Sequence, residues 1–160
     1  MPIVVADTSP LRYLVEIGPV DLLPILFHKI LIPVPVHDEL RCSGAPASVR
    51  QWAGSPPSWL EILPEPPSQD PGLRALDGGE KAALALGIFL NASLILIDER
   101  KAAAAAVHRV FEVTGTLGFL ARAAQLGLID LDRALDRLKG TNFRCRPEML
   151  DELLAKHKKL

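Results

Sequence analysis

A layered α/β fold built on a mostly parallel sheet is predicted by three features of this 160-residue chain. Short apolar runs, IVVA (3–6), KILIP (29–33) and SLILID (93–98), alternate with segments of helical period, the pattern of strand–helix–strand crossovers. SLILID is almost wholly apolar, as a strand covered on both faces should be. Apolar residues make up 49% of the chain and aromatic ones only 5%, so Leu, Ile, Val and Ala must build the core, and the length suits one domain over residues 1–160.

IVVA opens the sheet. Thr8 to Ile17 and Val20 to Phe27 read as two helices broken at Gly18-Pro19, because glycine ends a helix well and proline restarts one. KILIP is the second strand, followed by helices near Pro35 to Cys42 and over Ala47 to Ala53. Residues 54–72 hold six prolines and form a loop, in which WLEIL (59–63) is a short edge strand. Asp77 to Leu90 is predicted as an amphipathic helix leading into SLILID. KAAAAAVH (101–108) is helical on propensity. FEV (111–113) is the last strand, and helices near Thr116 to Leu126, Leu131 to Lys139 and Pro147 to Lys158 complete the chain. Residues 141–160 thus form a C-terminal helix and a basic tail.

The bulk properties exclude several classes. A net charge of −1 argues against a chain held to nucleic acid by overall charge, though it leaves room for a local basic face. Cys42 and Cys145 have neither metal-ligand spacing nor the density of a secreted scaffold, so free thiols in a reducing compartment are expected. The N-terminus, MPIVVADTSP, lacks the basic and apolar regions of an export signal, and no apolar run is long enough to span a bilayer. The expectation is a cytoplasmic protein with no membrane partner. His28, His37, His108 and His157 show no ligand or triad spacing. Trp52 and Trp59 flank the proline-rich loop and are expected to pack under it.

The chemistry lies in the acids. Asp7 and Asp98 each end a run of buried strand, where a charge is costly unless it is wanted. Taken singly, each can cap the helix that follows. Taken together, they mark the carboxyl rim of an open parallel sheet, where ligands bind at the point of strand-order reversal. Asp77-Gly-Gly-Glu80 has the N-cap and N3 spacing of a capping box, and capping is the expected role of Asp77. Glu80 lies in the first turn of a helix that packs antiparallel to the Asp98 strand, so its end of the helix falls on the same rim. In VHDEL (36–40), Val36 and Leu40 face the core and Glu39 borders that face. Glu39 is either a site acid or a solvated helix residue, and Asp38 is its competitor.

The runs VVADTSPL, LIPVPVHDEL, LDGGEKAALAL, LILIDER and VTGTLG, in that order over residues 3 to about 150, resemble the PIN-domain family. The similarity is greatest to its short, stand-alone prokaryotic branch. The resemblance implies a three-layer α/β/α fold on a five-stranded, mostly parallel sheet, with acids gathered around Mg²⁺ or Mn²⁺. It also implies a metal-dependent endoribonuclease, of a kind often found as the VapC-type toxin of a toxin–antitoxin pair. By position, Asp7, Glu39, Glu80 and Asp98 correspond to the family's catalytic, metal-binding acids. Thr8 and Ser9 match its hydroxyls beside the first acid, which contact a metal-bound water or phosphate. Gly115-Thr116 matches the branch's GT-L-G pattern, with Thr116 as a substrate contact or as a helix cap. The implied partners are an RNA substrate and a cognate antitoxin. Family habit also implies a homodimer, for which Leu22, Leu23, Leu26 and Phe27 offer a face unless they are core.

Clustered carboxylates cannot all stay ionised without a cation, and oxygen ligands favour Mg²⁺ or Mn²⁺ over zinc. Asp7 and Asp98 are the expected direct ligands; Glu39 and Glu80 are ligands or orient the attacking water. Many active members carry an Asp inside the helix that Glu80 begins here, and after Asp98 only Glu99 offers a further acid. RNA also needs cations on the rim. Arg12, Arg41, Arg100, Lys101 and the tail Lys156-His157-Lys158-Lys159 are candidates, Arg100 foremost because it follows Asp98 by two residues. The altered acid pattern leaves a second reading open, a catalytically weak or inactive nucleic-acid-binding or regulatory module. A phosphatase with Asp7 as nucleophile is disfavoured, because Ser9 stands where its companion acid belongs.

Overall fold

The strand order is β3-β2-β1-β4-β5 and every pairing is parallel. The computed structural model describes residues 2–68, 70–74, 76–98 and 111–158. The strands are β1 (Val4–Ala6), β2 (Ile30–Pro33), β3 (Leu60–Leu63), β4 (Leu94–Leu96) and β5 (Glu112–Thr114). The helices among the described residues are α1 (Thr8–Ile17), α2 (Leu23–Phe27), α3 (Val34–Arg41), α4 (Ala47–Gly54), α5 (Gly78–Phe89), α6 (Thr116–Gln125), α7 (Leu131–Lys139) and α8 (Pro147–Lys158). Short 3₁₀ turns cover Pro19–Leu22 and Pro71–Leu73. The helix expected over 101–108 lies outside the described residues.

Every residue of β1 and β4 is buried, so the two central strands are covered on both faces. WLEIL is an edge strand as expected, and its Glu61 pairs with Lys29 at 2.5 Å. Such a charge on an outer strand discourages pairing with another chain.

Three expectations change, and one open alternative is decided. The helix expected over Val20 to Phe27 divides, because Pro24 has no N–H to continue the ladder, and Pro19–Leu22 closes as a 3₁₀ turn instead. Gly18 keeps its expected role: it ends α1 at φ 115°, a conformation that favours glycine, with its N–H on the Leu14 carbonyl at 2.9 Å. The helix α5 is not amphipathic. Gly79 and Ala82 to Gly87 are all buried, because α5 lies against β1, β2, β4 and α3 together. Of the residues offered as a dimer face, Leu23 and Phe27 are core, and Leu22 and Leu26 pack against it. Lastly, β4 closes earlier than SLILID suggests. Ile97 still donates to the Thr114 carbonyl at 2.9 Å, but Asp98 stands two residues past the strand.

Smaller expectations hold. Trp52 and Trp59 pack on each other with ring centroids 6.0 Å apart, and Cys42 and Cys145 are free thiols. No helix among the described residues is long and apolar enough to cross a membrane.

Candidate active site

The chain winds from β1 outward to β2 and β3, then returns to the other side of β1 for β4 and β5. The reversal opens a crevice at the carboxyl ends of β1 and β4, the place where open parallel sheets bind ligands. Ala6 pairs with Leu96, and the Asp7 N–H donates to the Leu96 carbonyl at 2.8 Å. Asp7 therefore leaves β1 at the crevice, with Asp98 two residues past the neighbouring strand.

Three acids reach this rim, each beside a helix N-terminus. Asp7 occupies the N-cap position of α1 with extended backbone, yet its side chain makes no capping bond. It is only 3% exposed, and its Oδ1 is buried without a hydrogen-bond partner. Burial pushes the Asp7 carboxyl up to about 7; the Thr8 N–H opposes that rise, while the charges of Glu39, Asp77 and Asp98 add to it. A buried carboxyl with an unmatched oxygen is costly unless something meets it.

Glu39 enters from α3 and is clasped from both sides. The Thr8 hydroxyl donates to its Oε2, and the Gly79 N–H at the start of α5 donates to its Oε1 at 3.1 Å. Gly79 makes this approach possible, since a Cβ there would stand 2.1 Å from Oε2. Asp38, the competitor, is exposed. Glu39 is thus the α3 acid that faces the rim, as the spacing of Val36 and Leu40 implied.

Asp98 receives two bonds from one residue: the Thr116 N–H donates to Oδ1 at 2.5 Å and the Thr116 hydroxyl donates to Oδ2. Burial raises its carboxyl, and the two Thr116 bonds pull it back down. A Cβ on Gly115 would lie 2.4 Å from Oδ1, so glycine keeps the space Asp98 occupies. Gly115, not Thr116, is the N-cap of α6, and Thr116 is fully buried behind the carboxylate. Its two donors hold Asp98; they do not cap the helix. Thr116→Val should therefore keep the fold while weakening stability by about 1.5–3 kcal/mol in chemical denaturation, the range for a hydrogen bond to a charged group.

Asp77 does cap α5, accepting from the Glu80 N–H at 2.9 Å, and its charge also reaches Asp7. The spacing showed only the first of these roles, because the second depends on where α5 docks. Glu80 stands half-buried in the first turn of α5, one residue beyond the Gly79 that holds Glu39. Ser9 lies half-buried in the first turn of α1. Glu99, Arg100 and Lys101 lie outside the described residues.

Among the described residues, no group of three or more His, Cys, Asp or Glu side chains is gathered closely enough to hold a metal ion. The donors on the rim are all carboxylate oxygens, and one of them, Asp7 Oδ1, is buried and unmatched. That set suits magnesium, which binds one or two protein carboxylates and keeps several waters, better than zinc, whose sites are built mainly on His and Cys. The donor chemistry therefore fits a hard divalent cation, which Asp7 and Asp98 would hold.

A family model described as a PIN domain matches residues 3–159. The chain belongs to the PIN-domain family. PIN domains are generally nucleases and typically use divalent metals, and the all-parallel five-stranded sheet flanked by helices agrees with the PIN fold. Neither the curated proteins nor the solved structures contain a match.

Proposed function

We propose that this PIN domain is a metal-dependent endoribonuclease that hydrolyses RNA phosphodiesters at the crevice between β1 and β4. The observation that carries the reading is Asp7: a buried carboxyl with an unmatched oxygen, pressed upon by Glu39, Asp77 and Asp98. Such a carboxyl is unfavourable without a counter-charge, and a divalent cation held by Asp7 and Asp98 would relieve it. When bound, that cation supplies polarisation of the phosphoryl oxygen and a lowered pKa for an attacking water. The chain's own part is placement. Thr116 fixes Asp98 and its two oxygens, while Thr8 and Gly79 fix Glu39. The Thr116 N–H at the start of α6 opposes the rise that burial imposes on the Asp98 carboxyl. As part of the same reading, the nuclease is the toxin of a toxin–antitoxin pair, supported by the resemblance of its five motifs to the stand-alone VapC-type branch.

The spacing of the acids favours a second reading, a module that binds RNA without cleaving it. One experiment separates the two. Single-stranded RNA is incubated with the purified protein and Mn²⁺ or Mg²⁺, beside an EDTA control and the Asp98→Asn variant. Cleavage by wild type alone, abolished by chelation, is the expected result. Equal cleavage by wild type and variant would overturn the enzyme reading, and so would intact RNA in every lane.

A further inference from the structure

A groove of about 580 Å³ opens beside Asp98 and runs between the start of α6 and the segment leading into α8. Its walls include Leu117, Phe143 and Met149, and two arginines, Arg144 and Arg146, stand in it. Both arginines are exposed, and neither belongs to an ion pair among the described residues. This differs from Arg12, whose Nε lies 3.4 Å from Glu16.

The groove is tied to the rim by α1. Tyr13 donates to Asn142 Oδ1 at 2.9 Å and meets the Phe143 ring edge-on, with centroids 5.0 Å apart. Burial raises the Tyr13 phenol; Arg12 and Arg144 pull it down, and Glu16 and Asp98 push it up. Arg144 and Asp98 both lie close enough to Tyr13 to act on it, and both line the groove. The segment 142–146 is held there by packing, although it is far from Asp98 in sequence.

We infer that this groove is the track of a single RNA strand, with Arg144 and Arg146 binding the phosphates that flank the one at Asp98. The inference rests on the proposed nuclease reading and extends it to the path of the substrate. Charge complementarity selects the occupant: an acidic rim repels a polyanion, and these guanidiniums, in no ion pair among the described residues, line the same groove as Asp98. The apolar walls select a single strand. A duplex keeps its bases stacked inside and presents backbone and groove edges, leaving Leu117, Phe143 and Met149 nothing to cover, whereas a splayed strand offers the faces of its bases.

The test is fluorescence anisotropy with a labelled single-stranded RNA dodecamer in EDTA, where binding is read without cleavage, over a series of salt concentrations. Two phosphate contacts on a single strand contribute about 1.4 to the slope of log affinity against log salt. The R144A/R146A variant should lose that increment and bind roughly twentyfold more weakly at ~0.1 M salt. R144K/R146K, which keeps the charge, should recover most of the binding, so a general loss of folding is distinguished from a loss of contacts. K29A, at the opposite end of the sheet, should bind as wild type does. An unchanged affinity and slope in R144A/R146A would overturn the inference and leave the nuclease reading intact, and equal binding of duplex RNA would overturn the single-strand assignment. Arginine-dependent binding by a protein that cleaves nothing would support the groove while the nuclease reading fails.

Discussion

Asp7→Asn should make the metal-free protein more stable at pH 8 while cutting cleavage about a thousandfold, the scale on which removing a key electrostatic group is felt. The stability half follows from the position of the carboxyl. Its folded value is about 7 against 3.8 for an unperturbed Asp, so between those values the folded state holds a proton that the unfolded state has released. Stability from this group is therefore full below about pH 4, falls as pH rises through 7, and is flat above. About three units at about 1.4 kcal/mol each give roughly 4 kcal/mol, or roughly 10 °C in Tm for a chain of this size. Asp98, also raised, shifts in the same direction and is present in both proteins. The difference between wild type and Asp7→Asn in urea unfolding at pH 4 and pH 8, in EDTA, isolates the Asp7 contribution. Adding Mn²⁺ at pH 8 should restore wild type and leave the variant unmoved, because binding at Asp7 requires the ionised form. Parallel pH curves for the two proteins would show that the unmatched oxygen stores no free energy for a cation to release.

The burial of these acids also explains which parts of the candidate site could be read from the sequence. Asp7 and Asp98 were legible as a pair: either alone could cap the helix that follows, but two that end buried apolar runs mark one rim of the sheet. Glu39 was separable from Asp38 by the four-residue spacing of Val36 and Leu40, since helix period alone decides which side faces inward. The supporting groups were not legible. Gly115 and Thr116 read as a turn and a cap, and only the closeness of Asp98 to α6 makes them its cradle. Asp77 was legible as a cap but not as a neighbour of Asp7. Arg144 and Arg146 sit in RCRP with no local pattern at all. Their proximity to Asp98 is created by Tyr13 and Phe143 packing across the whole length of the chain, and no periodicity reports that. The amphipathic reading of α5 failed for a related reason: a helix touching three strands and α3 has almost no outer face.

The two adjacent glycines of α5 give the sharpest contrast available on this molecule. Gly78 has nothing within 4 Å of the position a Cβ would take, whereas a Cβ on Gly79 would meet all three atoms of the Glu39 carboxylate at 2.1 to 2.6 Å. Both lie in the first turn of the same helix, and neither has a positive φ. Gly78→Ala should therefore raise stability by about 0.4–1 kcal/mol, by restricting the unfolded chain, and leave cleavage unchanged. Gly79→Ala receives the same entropic gain but must push Glu39 aside. The obstructing atoms are the end of a flexible side chain, so the carboxylate can move, and the fold should survive with less than about 2 kcal/mol lost. What it cannot keep is the bond from the Gly79 N–H or the place beside Thr8. A displacement of about 1 Å in a positioned group costs on the order of a hundredfold in rate, and Gly79→Ala should show that loss in single-turnover cleavage with its urea midpoint nearly intact. Full activity in Gly79→Ala would mean that Glu39 serves α3 and α5 as a structural clasp only, and the reacting acids would reduce to Asp7, Asp98 and whatever Glu80 contributes. Loss of folding in both variants would instead place the fault in the helix start and say nothing against Glu39, which is why the Gly78 partner belongs in the same measurement.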